Sequence, residues 1–245
     1  MTVQVVLVHG IRTSASMWRA QCVTLAERGV PVEAVDLPGH GTRMSEPFTL
    51  EEAFATIDRA VRSAAERGPV LLVGHSMGGL LCTEYVGRTD APPVAGFIAA
   101  SCTAVPRGAG LAMYRTLARG FDALPDRGMW MTKQVLARTL PEHTREDFGA
   151  GGYALDAQDG ALAQLAGIDV LTALARIHVP LWFVNGQFDQ LRVGERTFLR
   201  IAPHAELIVF PRTSHLVSAM RPEVFDAVIA LAIATLEADA PRPVW

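Results

Sequence analysis

The sequence predicts an α/β fold built on a mostly parallel, doubly wound sheet of about six strands, with a helical insertion after the fourth. Three observations carry this. Short apolar, β-branched runs alternate with segments of helical spacing along most of the chain. The runs are continuously apolar, as strands covered on both faces are. The alternation breaks between residues 104 and 176, where no clear strand is visible, and then resumes.

Each element follows from local pattern. Residues 3–8 form a short β-branched run that ends in His9-Gly10. Residues 16–28 carry Trp18, Cys22, Leu25 and Ala26 at helical spacing, and Gly29 stops them. Residues 32–35 form a second strand before the turn-rich Asp36-Leu37-Pro38-Gly39-His40-Gly41. Thr49 is placed to cap a helix running to about Glu66, with Glu51 and Glu52 suited to its positive end. A third strand at 70–73, a helix at 77–87 and a fourth strand at 94–100 follow. Within 104–176, helical pieces are expected near 111–117, 130–140 and 160–174. The chain then gives strand 181–185, helix 193–201, strand 206–210 and helix 222–236. The expected organisation is a core of residues 1–103 and 177–245 with a cap of residues 104–176. The tail 240–245, with Pro241 and Pro243, is expected to be mobile.

Composition narrows the function. Half of the 245 residues are hydrophobic and 19% are charged, which fits a folded chain. The net charge of −3 supplies no global basic field for nucleic acid or an anionic membrane surface. No apolar run approaches the length of about 18 residues that a membrane span needs. The first ten residues read as a strand and not as a signal peptide. Three cysteines, none in a C-x-x-C pair, argue against a disulfide framework or a cysteine zinc site and fit a reducing, cytoplasmic compartment. The oligomeric state is not legible.

The informative motif is Gly74-His75-Ser76-Met77-Gly78, a G-x-S-x-G pentapeptide between a strand and a helix. A sharp turn there projects a serine oxygen at the end of a strand, and the helix that follows aims its positive end at the site. Ser76 is therefore the expected nucleophile. His215, after the last strand, reaches the same carboxyl edge of the sheet and is the expected base among seven histidines. Asp189, after the fifth strand, completes the chain order Ser, Asp, His as the expected acid, with Asp36 its rival. The backbone N–H groups of Ile11 and Met77 are the expected oxyanion donors, and Gly10 lets the backbone pass close to a ligand.

These residues resemble the α/β-hydrolase superfamily: His9-Gly10, the turn 36–41, Gly74 to Gly79, Asp189 and His215 all match its pattern. The resemblance implies a central, mostly parallel sheet, cofactor-free acyl transfer and a substrate pocket lined by the cap. The chain opens on the strand bearing His9-Gly10, with no antiparallel pair before it. In this it resembles the compact branch of plant-type methylesterases and hydroxynitrile lyases. Those lyases place a lysine after the catalytic histidine, where this chain has Leu216. Serine at the elbow also argues against relatives of haloalkane dehalogenases and epoxide hydrolases, whose ester intermediates need a carboxylate nucleophile.

The resulting expectation is a serine hydrolase of a small or medium apolar carboxylic ester, such as a methyl ester or lactone, with no metal. Thioesterase, lyase or cyclase chemistry and a ligand-binding receptor on the same fold are the alternatives. Arg12 is a candidate for an anionic substrate group, set against pairing with a local carboxylate or facing solvent. Cys102, Met113 and Trp130 are candidate pocket residues, as are Tyr114, Phe121, Met129 and Met131. Each has simple packing as its other reading.

Overall fold

A computed structural model describes residues 2–90 and 92–239. The expected tail 240–245 lies outside the described residues. Six strands form one sheet: β1 (Gln4–Val8), β2 (Val32–Val35), β3 (Val70–His75), β4 (Gly96–Ala100), β5 (Leu181–Gly186) and β6 (Glu206–Phe210). Their order is β2-β1-β3-β4-β5-β6 and every neighbouring pair is parallel. The sheet is doubly wound.

The helices between strands are α1 (Arg19–Glu27), α2 (Leu50–Ala65) and α3 (Met77–Val86). Five more separate β4 from β5: α4 (Gly108–Asp122), α5 (Met129–Thr139), α6 (Glu142–Ala150), α7 (Gln158–Leu165) and α8 (Val170–Leu174). The chain continues through α9 (Glu195–Ile201), α10 (Val217–Met220) and α11 (Pro222–Asp239). Thr49 caps α2 by accepting a hydrogen bond from the Glu52 amide.

Strand periodicity divides the core in two. Val6, Val8, Leu72, Phe97 and Phe183 pack on the side of α2, α3, α8 and α9. Val5, Leu7, Leu71, Val73, Ile98 and Trp182 pack on the opposite side with Trp18 and α11. Because alternate residues face different helical layers, both faces of the inner strands must be apolar, which explains the unbroken runs.

Several boundaries differ from the sequence reading. The segment expected to be one helix at 16–28 is a 3₁₀ turn, Ala15–Trp18, followed by α1. Ser14 accepts the amide of Ser16 and starts that turn. The expected helix at 160–174 is split in two, because Asp169 accepts the Thr172 amide and begins α8 afresh. The helix α6 was not expected. Four of its nine residues are charged, and Thr144 and Phe148 alone are buried in it, too few for a legible stripe.

The insertion is bound to the sheet layers on two sides. Thr144 Oγ1 donates to Ala219 O at 2.8 Å and Gly151 N donates to Ser16 Oγ at 3.1 Å. The side chain of Gln164 bonds both Leu50 N and Phe48 O.

Leu72, fully buried in the middle of β3, tests the packing. Leu72→Ala is expected to cost about 2–5 kcal/mol, read as a lower urea midpoint with an unchanged slope. A loss below about 1 kcal/mol would contradict a close-packed centre.

Candidate active site

Parallel sheets place sites at the carboxyl edge where neighbouring connections diverge. Here β1 sits between β2 and β3, so the loops after β1 and β3 part company at that edge. Ser76 lies in this gap, the single residue between β3 and α3, with φ 53° and ψ −117°. Such a backbone conformation costs on the order of 1–3 kcal/mol for a residue with a side chain. It is held by Ser76 N donating to Ala100 O at 2.8 Å and Leu80 N donating to Ser76 O at 3.0 Å. Gly78 makes the turn possible, since a Cβ there would overlap the backbone oxygens of Val8 and His9.

His215 comes from the loop between β6 and α10. Its Nε2 lies 2.9 Å from Ser76 Oγ, and its Nδ1 lies 3.0 Å from Asp189 Oδ1. A carboxylate only accepts, so Nδ1 carries the proton and Nε2 is left to accept the serine hydroxyl. Asp189 Oδ1 also accepts the Leu191 amide at 2.8 Å. Burial pushes the Asp189 carboxyl towards neutrality, but the hydrogen bonds from His215 and from the Leu191 amide hold it below the usual carboxylate range.

Asp36 is occupied elsewhere. Its Oδ1 accepts Ala15 N and its Oδ2 accepts Thr42 N and Oγ1, each at 2.8 Å. It thereby ties the turn 36–41 to the loop after β1.

Two further histidines brace the site while staying neutral. His9 Nδ1 donates to Gly10 O at 2.7 Å, and its Nε2 accepts Leu37 N at 3.0 Å. That pins the carbonyl of the Gly10–Ile11 peptide. In a trans peptide the Ile11 N–H then points the opposite way. Neither the Ile11 nor the Met77 amide has a hydrogen-bond acceptor among the described residues. Both residues line the cavity at Ser76. His75 Nε2 donates to His215 O at 2.9 Å and so fixes the loop that carries His215. Burial, foremost, brings the pKa of both His9 and His75 down to about 3.

Two cavities meet at Ile11. The first, about 340 Å³, contains Ser76 and Met77 and is walled by α4, α7 and the loop after β5, through Met113, Tyr114, Leu162 and Leu191 among others. The second, about 300 Å³, is bounded by Arg12, Phe121, Met131, Phe148, Tyr153 and Leu216.

The expected site residues divide accordingly. Ser76, His215, Asp189, Ile11 and Met77 come together at one edge, with Met113 on the wall of the first cavity. Gly10 backs onto His75 and Ser76 and does not line either cavity. Cys102 is fully buried against Gly79, and burial pushes its thiol pKa far up. Trp130 is 68% exposed and lines neither cavity. Val105, Leu117 and Val193 line the first cavity without having been expected there. Ser101 beside Asp189 was likewise not singled out, although its place after β4 is the same signal that marked the other edge residues.

A model of the alpha/beta hydrolase family matches residues 5–228. The chain belongs to that family. A hydrolase-type function goes with this alpha/beta hydrolase. An (E)-2-((N-methylformamido)methylene)succinate hydrolase of Acinetobacter baylyi is 26% identical over 231 residues, covering 89% of this chain and 85% of its own. A methylesterase-named chloroplastic protein of Arabidopsis thaliana is 36% identical over 83 residues, 33% of this chain and 24% of its own, so that match spans about a quarter of the plant protein. Among solved structures, a carboxylesterase of Nitrososphaera gargenis superposes with a TM-score of 0.78 at 17% identity, over 98% of this chain and 92% of that one. An E-2-(acetamidomethylene)succinate hydrolase gives 0.75 at 19% identity, over 96% and 92%. These superpositions show the shared fold. Among the described residues, no helix is long and apolar enough to cross a membrane.

The neutral histidines predict a pH dependence. An unfolded chain protonates them near pH 6.5, and the folded one only near 3. Between those values the unfolded state binds more protons, so stability falls as pH falls from about 6.5. The urea midpoint is expected to drop between pH 7 and pH 5. His75→Gln should make the drop shallower. An equal midpoint at both pH values would contradict buried, proton-excluding histidines.

Proposed function

We propose that this alpha/beta hydrolase is a carboxylic ester hydrolase that works through an acyl-enzyme, with residues 104–176 as the cap over its site. The observation that carries the reading is the unbroken hydrogen-bonded series Asp189, His215, Ser76 at the wall of an apolar cavity. In the first half-reaction Ser76 Oγ attacks the ester carbonyl as His215 Nε2 takes its proton. The amides of Ile11 and Met77 receive the oxyanion. The bond to the alcohol oxygen then breaks and His215 returns the proton to that oxygen. In the second half-reaction His215 deprotonates a water as it attacks the acyl carbonyl, then returns that proton to Ser76 Oγ as the acyl bond breaks and the acid leaves. Asp189 holds the imidazole tautomer and stabilises the imidazolium.

The substrate class follows from the cavity that holds Ser76. Its size lies in the small-molecule range, and no charged side chain lines it among the described residues. It suits a small or medium apolar acyl group, such as that of a methyl ester or an aryl ester. Leu216 after His215 is one support for hydrolysis over cyanohydrin chemistry, since it brings a hydrocarbon wall in place of an ammonium group.

A fluorophosphonate probe followed by a chain-length series of p-nitrophenyl esters tests this. Wild type is expected to be labelled at Ser76 and to turn esters over. Ser76→Ala should lose both, and Asp189→Asn should lose about 10³–10⁴ in kcat. Turnover retained in Ser76→Ala would sink the mechanism. Leu117, 59% exposed on the cavity wall, offers a test of fit. Leu117→Trp is expected to move the optimum to shorter acyl chains, and an unmoved optimum would place the acyl group elsewhere.

A further inference from the structure

We propose that the second cavity receives the leaving group, and that Arg12 selects esters whose leaving group carries a carboxylate. This rests on the acyl-enzyme reading above. The two cavities share Ile11, but their other walls differ. Ser76 and Met77 belong to the first, so the acyl group joined to Ser76 Oγ stays there. Leu216, next to His215, belongs to the second. As the bond between carbonyl carbon and leaving oxygen breaks, His215 hands that oxygen the proton taken from Ser76. The departing alcohol or phenol must therefore lie on the His215 side, where the second cavity opens.

Arg12 is the charged residue of that cavity, and among the described residues no carboxylate pairs with it. Its guanidinium reaches only Arg127 O at 3.4 Å and Met129 Sδ at 3.9 Å, both long contacts. Acidic groups in the same insertion are engaged by other arginines. Asp159 pairs with Arg115 and Arg119, and Asp122 and Asp156 pair with Arg127. A half-buried guanidinium without a counter-charge keeps its planar fork of donors open to an anionic ligand.

The backbone points the same way. Arg12 has φ 62°, a conformation that glycine adopts without penalty and arginine does not. Strain of this kind is characteristic of ligand-contacting positions. The remaining walls are aromatic and aliphatic, including Phe121, Val135, Phe148 and Tyr153. One planar guanidinium above such walls suits a single carboxylate at the end of a hydrocarbon or aromatic spacer, held in a fork, better than a dianionic phosphate.

Matched esters test the assignment: phenyl butyrate, which releases phenol, and 4-(butyryloxy)benzoate, which releases 4-hydroxybenzoate. The readout is the ratio of their kcat/KM values. Arg12→Gly relieves the positive φ while removing the guanidinium, and Arg12→Lys keeps a charge without the fork. The ratio is expected to fall about tenfold or more in Arg12→Gly, and by less in Arg12→Lys. Binding of 4-hydroxybenzoate to Ser76→Ala, followed by calorimetry, needs no turnover. It is expected to be lost when Arg12→Gly is added. An unchanged ratio, or binding that ignores Arg12, overturns the proposal while leaving ester hydrolysis intact. Absent fluorophosphonate labelling with Arg12-dependent binding would instead overturn the acyl-enzyme reading and leave Arg12 as a carboxylate site.

Discussion

The arrangement depends on one close approach, the first turn of α3 against the carboxyl end of β1. At Gly78 the helix backbone lies so near the Val8 and His9 carbonyls that no side chain fits between them. That contact forces the chain from β3 into α3 through a single residue, and Ser76 accepts the positive φ that results. It also sets Met77 at the start of the helix beside the loop after β1. Two amides without acceptors, Ile11 and Met77, thus face one cavity with the serine hydroxyl. The parallel register of β1 with β3 makes the approach reproducible, because it fixes where both strands end.

Around this point the polar groups are organised by neutrality as well as by charge. His9 and His75 each satisfy a backbone carbonyl and exclude a proton, since burial makes the imidazolium form unfavourable. Asp189 remains ionised despite burial because donors converge on it. The result keeps one buried carboxylate facing His215, while the neighbouring imidazoles add no positive charge that would compete for it. Asp36 shows the contrast: an equally well-placed acid whose lone pairs are already taken by amides and a hydroxyl.

The insertion between β4 and β5 supplies shape. Helices α4 and α7 wall the first cavity, and α4, α5 and α6 wall the second. Its side chains carry no part of the hydrogen-bonded series that runs from Asp189 to Ser76. Fold and site chemistry are separable in this way, since the groups of the series and the walls around them come from different parts of the chain.

The sequence by itself determined the strands, their parallel arrangement and the edge at which the site forms. Those features are written in local pattern: continuous apolar runs, a strand-turn-helix motif around Ser76, and an acid and a histidine after later strands. Gly74 is enforced within the motif, by atoms of Gly78 and Gly79, whereas the requirement at Gly78 comes from Val8 and His9 at the end of another strand. Tertiary structure decided the rest. Whether Asp36 or Asp189 has free lone pairs depends on Ala15, Thr42 and His215, which are remote from one or both acids in the chain. The same holds for the insertion, where Met113 faces the first cavity and Trp130 faces solvent although both belong to one Met and aromatic set. Periodicity tells which residues of a helix share a face. It does not tell what that face meets, because that is fixed by contacts between segments far apart in sequence.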